Sequence, residues 1–214
     1  MRFISSNQIR NHINSAAANR APFFFALNYE MTEGVFVENP LLQNNVLFQF
    51  HGKGNKPDGA VSSSKAEITT HPLSEEAYKA KFEVIKKAIC NEEVKVANLT
   101  IQTPIETTID CREVFMRSQS PYQVYIPNRF VSFSPERFVK IENGKISANP
   151  MKGTIDASIA NAEQLILNNP KEIAELDAVT QAVIRELSVV AHNVKVKKEG
   201  ISTKLNRLTE HCFK

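Results

Sequence analysis

The chain has 214 residues, 42% hydrophobic and 23% charged, so it can form one large domain or two small ones and is too apolar for intrinsic disorder. No run of about 18 apolar residues occurs, which excludes a transmembrane helix. The net charge is +3, and residues 195–214 contribute +4 of it, from six Lys/Arg and two Glu. The remaining residues carry a net charge of −1, so they lack the basic surface of a nucleic-acid-binding protein.

The N-terminal segment and the cysteines bear on localisation. The segment 1–7 turns polar too early for a secretion signal. Cys90, Cys111 and Cys212 are widely spaced and form no CxxC pair, so neither a disulfide framework nor a zinc site is indicated. We expect a cytoplasmic protein with reduced thiols.

The first quarter of the chain predicts a helix followed by strands. Residues 6–20 carry apolar side chains at helical spacing. The aromatic run 22–27 predicts a buried strand, and 35–37 and 46–50 predict two more. Residues 52–64 are rich in Gly, Ser, Lys and Asp, which predicts a flexible loop without the spacing of a phosphate-binding loop.

A second helix is predicted to begin after Ser74 and to end near Asn91. Ser74 is a favourable N-cap, and the two residues after it are glutamates, which the helix dipole stabilises. Its apolar side chains share one face, from which we expect core packing; they are Tyr78, Phe82, Ile85 and Ile89.

The middle of the chain is predicted to be rich in strands. Residues 94–101 alternate like a strand, and 108–117 resemble a short helix. Strand-like pieces at 122–126, 129–133, 137–141 and 145–148 alternate with turns, which predicts an antiparallel meander.

A long helix follows, with Asn169 as N-cap, Pro170 at its first position and Glu172 placed for a capping box. Its predicted buried face consists of Ile173, Leu176, Val183, Leu187 and Val190. Helices mixed with runs of antiparallel strands favour an α+β fold, with antiparallel sheets flanked by helices.

Three residues near these elements are candidates for chemistry. Glu136 follows a proline in a turn between two strands, where a carboxylate is usually solvated. Lys152 follows Pro150 and Met151; such a lysine usually extends to solvent, and in apolar surroundings it can become a nucleophile. Glu175 is not explained by helix capping and could ligate Mg²⁺.

The order and spacing of three segments resemble the chorismate-utilising family, which comprises anthranilate, isochorismate, salicylate and aminodeoxychorismate synthases. The segments are Ser134-Pro135-Glu136, Pro150-Met151-Lys152-Gly153-Thr154 and Lys171-Glu172-Ile173-Ala174-Glu175. The resemblance runs from about residue 20 to about 196 and is specific from 120 to 176. It implies a partial version of the chorismate-binding enzyme fold.

The lysine at position 152 is similar to that of the aminodeoxychorismate synthase component I branch, since anthranilate and isochorismate synthases typically carry alanine there. The resemblance implies that Lys152 attacks the chorismate ring while the 4-hydroxyl leaves, with Glu136 as acid or base. It further implies that Thr154 orients the substrate and Glu175 ligates Mg²⁺. Ammonia from a glutamine amidotransferase component II would then give 4-amino-4-deoxychorismate for para-aminobenzoate and folate synthesis.

Two departures from the family pattern keep alternatives open. The stretch 184–188 is one residue shorter than the usual Arg-Asn-Asp-Leu segment, and the family's later His strand, second Mg²⁺ carboxylate and substrate-gripping Arg have no counterpart. His192 and His211 lie in other contexts and are expected at the surface. We therefore interpret 1–196 as a partial chorismate-binding domain and 197–214 as an atypical basic tail, consistent with a frameshift.

The alternatives are a truncated, non-catalytic remnant of the family and an isochorismate or anthranilate synthase relative. In a partial fold, strand edges and an apolar face stay uncovered, from which we expect a homodimer.

Overall fold

The computed structural model describes residues 2–59, 64–94, 97–134 and 136–197, together with the backbone of 201–205 and 208–212. The helices are α1 Ser6–Ala18, α2 Glu75–Cys90, α3 Cys111–Arg117, α4 Ala162–Leu167 and α5 Pro170–Ser188. The strands are β1 Ile4–Ser5, β2 Phe23–Leu27, β3 Glu33–Glu38, β4 Leu47–Phe50, β5 Lys53–Gly54, β6 Ile68–Thr70, β7 Ile105–Thr107, β8 Tyr122–Ile126, β9 Phe130–Ser134, β10 Val139–Glu142, β11 Lys145–Ala148, β12 Met151–Asp156, β13 Ile201–Leu205 and β14 Leu208–Cys212.

The α+β prediction is confirmed, and the chain divides into two compact units. The first comprises Met1–Leu47, Asn55–Ser118 and Tyr125–Val131, and the second Phe48–Gly54, Gln119–Val124 and Ser132–Lys214. A four-stranded sheet has the order β5-β4-β8-β9. Among the described residues, none of the helices is long and apolar enough to cross a bilayer.

In the first unit, α1 packs on a small antiparallel sheet of order β1-β3-β2. Ser5 and Gln8 form a capping box that starts α1, and Ile9 and Ala16 are its buried residues. The ring of His12 stacks on Phe36 at a centroid distance of 5.1 Å. The predicted helix 6–20 and the strands at 22–27 and 35–37 are therefore confirmed, although Phe25 on β2 is 42% exposed.

Helix α2 differs from the prediction in its packing. It begins where predicted, because the Ser74 hydroxyl accepts a hydrogen bond from the Ala77 N–H. However, none of its residues is buried, and Tyr78, Phe82 and Ile89 are 45%, 45% and 41% exposed. The expectation of core packing for this face is wrong for the described part of the chain.

Several strand predictions also need correction. Residues 97–101 form no strand, while 95 and 96 lie outside the described residues. The predicted loop 52–64 contains β5, and its residues 60–63 lie outside the described residues. The predicted meander is divided, because β9 ends the four-stranded sheet whereas β10 and β11 form a separate hairpin. The pairing of β6 with β7 was not predicted.

In the second unit, α4 and α5 pack on β12, which pairs with β14 and through it with β13. Ala162, Ile166 and Leu176 are the buried apolar residues of this layer, and Leu176 is 0% exposed. Ile173 on α5 is 44% exposed, and Val190, which lies beyond the end of α5 at Ser188, is 73% exposed, so the buried face is narrower than predicted. The layer brings β12 against the first turns of α5.

Candidate functional site

Strand β12 carries two of the candidate residues and is shaped by Gly153. The pairing with β14 shifts register between Lys152 and Thr154, so one extra residue interrupts the strand there. Gly153 has a φ of +74°, which favours glycine. A Cβ added to Gly153 would lie 2.7 Å from Glu172 Oε2 and 3.2 Å from Glu172 Cβ. The backbone conformation therefore favours glycine, and a side chain at this position would also require the Glu172 carboxylate to move.

The first turn of α5 presents Glu172 to that glycine. Asn169 Oδ1 accepts hydrogen bonds from the N–H groups of Lys171 and Glu172, as an N-cap should. The N–H of Asn169 donates to the carbonyl of Ile166, so the reciprocal bond of the predicted capping box is not made by Glu172. The Glu172 side chain instead lies against Gly153 and is only 18% exposed.

Glu136 lies next to the start of β12. Its N–H donates to Ser134 Oγ at 3.0 Å, and the Ser134 hydroxyl donates to the Glu136 carbonyl at 2.8 Å, which fixes the turn. Glu136 Oε1 then accepts a hydrogen bond from the Met151 N–H at 3.3 Å. The carboxylate is thus held beside the residue that precedes Lys152, although Glu136 remains exposed.

Lys152 and Thr154 are both exposed on β12. Because the register shift falls between them, the alternation that would put both side chains on one face is interrupted. Pro150, just before the strand, is buried, but the apolar surroundings considered for Lys152 are not found among the described residues. In this structure neither Lys152 nor Glu136 is removed from water.

The carboxylates of Glu172 and Glu175 on α5 share one lysine partner. Lys171 Nζ lies 3.5 Å from Glu172 Oε1 and 3.5 Å from Glu175 Oε1. The carboxylate of Glu172, followed by that of Glu175, raises the pKa of Lys171 because both favour the charged ammonium. Glu175 is 35% exposed, so a ligand in solution can reach its carboxylate.

The structure therefore gathers the three segments singled out in the sequence. Glu136 contacts the backbone of Met151, Gly153 contacts Glu172, and Glu175 follows one turn later. The sequence did not indicate that Glu172 contacts Gly153, because helix capping already explains a glutamate at the third position of α5. The glycine after Lys152 was the available signal, since a glycine inside a strand often marks a bulge or a close approach. His192 is exposed as predicted, whereas the His211 side chain lies outside the described residues.

The comparisons with known proteins identify the family and the fold. A sequence model described as chorismate binding enzyme matches residues 13–208. A protein of Pasteurella multocida named as an uncharacterized PabA-like protein is 33% identical over 189 residues, which are 86% of this chain and 58% of that protein. A Haemophilus influenzae protein, also named as an uncharacterized PabA-like protein, is 31% identical over 189 residues, which are 86% of this chain and 56% of that protein.

Two further proteins extend the comparison to named activities. A 2-amino-4-deoxychorismate synthase of Streptomyces globisporus is 29% identical over 131 residues, which are 56% of this chain and 26% of that protein. The crystal structure of a 2,3-dihydroxybenzoate-specific isochorismate synthase, DhbC from Bacillus anthracis, matches with a TM-score of 0.68 and 14% identity, covering 100% of this chain and 62% of that one. The fold is thus a partial chorismate-binding fold.

The chain spans 58% and 56% of the lengths of the two PabA-like relatives. Within that span, the family match includes β12, α5 and the turn that carries Glu136. The chain belongs to the chorismate-binding enzyme family.

Proposed function

We propose that this chain carries the amino-transferring centre of an aminodeoxychorismate synthase component I, which converts chorismate and ammonia to 4-amino-4-deoxychorismate. The observation that supports this most directly is the position of Lys152 on β12, between the Glu136 carboxylate on Met151 and the Glu172 carboxylate on Gly153. The product serves para-aminobenzoate and folate synthesis, and we propose a cytoplasmic location.

In the proposed reaction, Lys152 acts as a neutral amine that forms a C–N bond with the chorismate ring. The 4-hydroxyl leaves as water once it has received a proton, which Glu136 donates. Ammonia then forms the new C–N bond and releases the Lys152 amine, so the net change is chorismate plus ammonia to aminodeoxychorismate plus water. Splitting one difficult substitution into two easier ones is the purpose of the covalent step. Thr154 orients the substrate through its hydroxyl.

Both groups need a change of environment to do this. An amine at neutral pH and a protonated glutamate each require desolvation, and Lys152 and Glu136 are exposed here. The bound substrate supplies part of that desolvation, because its ring covers the side chains it contacts. The turn that holds Glu136 through Ser134 limits the reorganisation that remains.

The α5 carboxylates fit a magnesium ion. Mg²⁺ uses one or two protein carboxylates together with substrate oxygens, and Glu175, with Glu172 beside it, already holds a cationic ammonium. Among the described residues, no group of three or more His, Cys, Asp and Glu side chains could hold a metal, so water and substrate oxygens would complete the coordination. The ion would bind a chorismate carboxylate and offset its charge.

The magnesium proposal predicts a competition with Lys171. Lys171→Met removes the ammonium that Glu172 and Glu175 share, so Mg²⁺ affinity should increase, as measured by titration calorimetry. Glu175→Ala should abolish the binding, whereas Asp177→Ala, an exposed carboxylate of the same helix, should leave it unchanged. Unchanged Mg²⁺ affinity in both Lys171→Met and Glu175→Ala would contradict the assignment.

Ammonia would come from a glutamine amidotransferase component II, and the exposed Lys152 leaves a route for it. The proposal is tested by titrating the chain with chorismate in the presence of Mg²⁺, followed by product analysis with ammonium salts. We expect chorismate binding, and 4-amino-4-deoxychorismate as the product. Lys152→Ala should retain binding and lose the product, while Lys145→Ala, an exposed lysine on β11, should change neither.

A non-catalytic remnant that keeps part of the fold but does not bind chorismate is the second candidate, and the exposure of Lys152 and Glu136 is the observation that favours it. It predicts no detectable chorismate binding in the presence of Mg²⁺ and no turnover. Isochorismate or anthranilate among the products would instead assign the chain to another branch of the family.

A further inference from the structure

The turn between β10 and β11 contains the single Asn-Gly pair of the chain, Asn143-Gly144. Glu142 pairs with Lys145 across it, so these two residues form the whole turn. Their φ angles are +52° and +70°, and a tight hairpin turn of this kind favours asparagine and glycine because both tolerate a positive φ. The shape of the turn thus explains the pair, which also brings a side-chain amide next to an unhindered backbone nitrogen.

Neither of these two groups is held by a hydrogen bond. The Asn143 side chain and the Gly144 N–H have no hydrogen-bond partner among the described residues, and both residues are exposed. A Cβ built on Gly144 would have no heavy atom within 4 Å, so the surroundings of Gly144 are open. Glycine also lacks the side chain that would hinder the approach of a carbonyl carbon to its nitrogen.

The hairpin that carries the turn is able to open locally. β10 and β11 form a two-stranded sheet and pair with no other described strand. A two-stranded hairpin is marginally stable by itself, and such elements open at a small part of the global free energy of unfolding. Opening allows the ψ angle of Asn143 to rotate, which brings the Gly144 nitrogen to the side-chain carbonyl carbon.

Asn128, in the turn between β8 and β9, provides a contrast within the same chain. It is exposed and has a φ of +60°, as Asn143 is exposed with a positive φ. However, the next residue is Arg129, whose N–H donates to the Ile126 carbonyl at 3.1 Å. The Arg129 guanidinium also lies over the Phe3 ring, 4.4 Å from its centroid. The nitrogen that follows Asn128 is therefore hydrogen-bonded and carries a large, packed side chain.

We propose that Asn143 is a deamidation site, which converts to aspartate and isoaspartate. The Gly144 nitrogen gives its proton to hydroxide and forms a bond with Cγ of Asn143, while the side-chain nitrogen takes up a proton and leaves as ammonia. Water then opens the resulting five-membered ring. Attack at Cγ gives aspartate, and attack at the backbone carbonyl carbon gives isoaspartate. The net change is asparagine plus water to the acid plus ammonia, and it does not depend on the amino-transfer reaction.

The two products change the hairpin in different ways. Aspartate keeps the backbone and adds one negative charge next to Glu142, whose carboxylate lies 2.6 Å from Lys140 Nζ. Isoaspartate lengthens the main chain by one carbon atom inside the turn, which strains the pairing of Glu142 with Lys145. The hairpin connects the turn of Glu136 to β12, so the isoaspartate form alters the link between two of the candidate site segments.

Ageing of the full chain in mildly alkaline buffer, followed by digestion and peptide mass spectrometry, tests the proposal. We expect the peptide with Asn143 to gain the mass of an amide replaced by a carboxyl group, with release of an equal amount of ammonia. The peptide with Asn128 should remain unchanged. Isoelectric focusing should show a new acidic species that migrates with Asn143→Asp. Asp58-Gly59 can form the same ring, but it releases water, so it produces neither the ammonia nor the acidic shift.

Variants assign the reaction to this pair of residues. Asn143→Gln should stop the release of ammonia, because its longer side chain closes a larger ring more slowly, and Gly144→Ala should slow it by hindering the nitrogen. Asn128→Gln, the matched control, should leave the release unchanged. Circular dichroism checks that each variant is folded. An Asn143 peptide that stays unmodified in the original chain, or modification of Asn128 at the same rate as Asn143, would overturn the proposal.

Discussion

Helices α2 and α5 have the same kind of sequence and very different surroundings. Each follows a side chain that caps its N-terminus, each has at least one acidic residue in its first turn, and each carries an apolar stripe. Yet α5 buries Leu176 and Thr180, while none of the residues of α2 is buried. An amphipathic pattern therefore identifies a helix and the face that needs a cover, but it does not identify the cover.

The contact of α5 with β12 involves Glu172 and Gly153. Gly153 leaves room for Glu172, and Leu176, one turn further along α5, is fully buried. Deeper along α5, the Thr180 hydroxyl donates to the Leu176 carbonyl at 2.7 Å, which satisfies a buried polar group. None of the described strands offers α2 a comparable contact.

The largest expected difference between the two helices is in side-chain truncation. Leu176→Ala removes a fully buried side chain and should lower the free energy of unfolding by about 2–5 kcal/mol. Phe82→Ala should lower it by less than about 1 kcal/mol, because the ring is nearly half exposed. Urea denaturation followed by circular dichroism measures both. A comparable loss in Phe82→Ala would mean that α2 is already covered.

The second prediction concerns the contact between Gly153 on β12 and Glu172 on α5. Gly153→Ala should cost about 1–3 kcal/mol, because the new Cβ meets Glu172 and the positive φ is strained. In a Glu172→Ala background the same substitution should cost less, since only the backbone strain remains. A double-mutant cycle in urea denaturation measures the coupling. Additive effects would show that Glu172 does not occupy this space.

The third prediction compares the two N-caps. Asn169→Ala should lower the global stability by about 1 kcal/mol, because α5 is part of a packed layer. Ser74→Ala should instead accelerate amide hydrogen exchange within α2 and leave the denaturation midpoint nearly unchanged, because α2 can open alone. The reverse pattern would contradict the contrast between the helices.

The smallest expected effect is electrostatic. The carboxylate of Glu172, and then that of Glu175, raises the pKa of Lys171, so this stabilisation is fully present below the ordinary pKa of lysine. It is lost as the pH rises through the raised pKa. NMR titration should place the Lys171 pKa above the ordinary lysine value, and Glu172→Gln should lower it. Lys171→Met should slightly lower the melting temperature at neutral pH and low salt, and added salt should reduce that difference.

The successful sequence predictions rest on short-range rules. Capping residues and apolar spacing located α1, α2 and α5, and alternation located β8 and β11 to the residue. The failures depend on long-range pairing. β6 and β7 pair although 34 residues lie between Thr70 and Ile105, and the turn between β9 and β10 separates two sheets although it resembles a hairpin turn. Neither outcome is encoded in a window of ten residues.

The candidate site shows the same contrast between features that short sequence motifs predict and features that depend on long-range packing. Motif order identified Glu136, Lys152 and Glu175, and the structure gathers the segments that carry them. The contact of Glu172 with Gly153 could not be predicted, since it depends on how closely α5 approaches β12. The exposure of Lys152 agrees with the usual behaviour of a lysine, whereas the apolar surroundings that would make it a nucleophile depend on residues distant in sequence.

The bulge at Gly153 has a consequence for mutational tolerance. Lys152 is exposed, so many side chains can replace it without disturbing the fold, even where the chemistry is lost. At the next position any other residue would have to adopt a positive φ, and its side chain would displace the Glu172 carboxylate. A saturation library should therefore change abruptly from permissive to restrictive between two adjacent codons. A shorter residue 172 should restore only part of the stability lost by substitution at residue 153, because the strain of the positive φ remains.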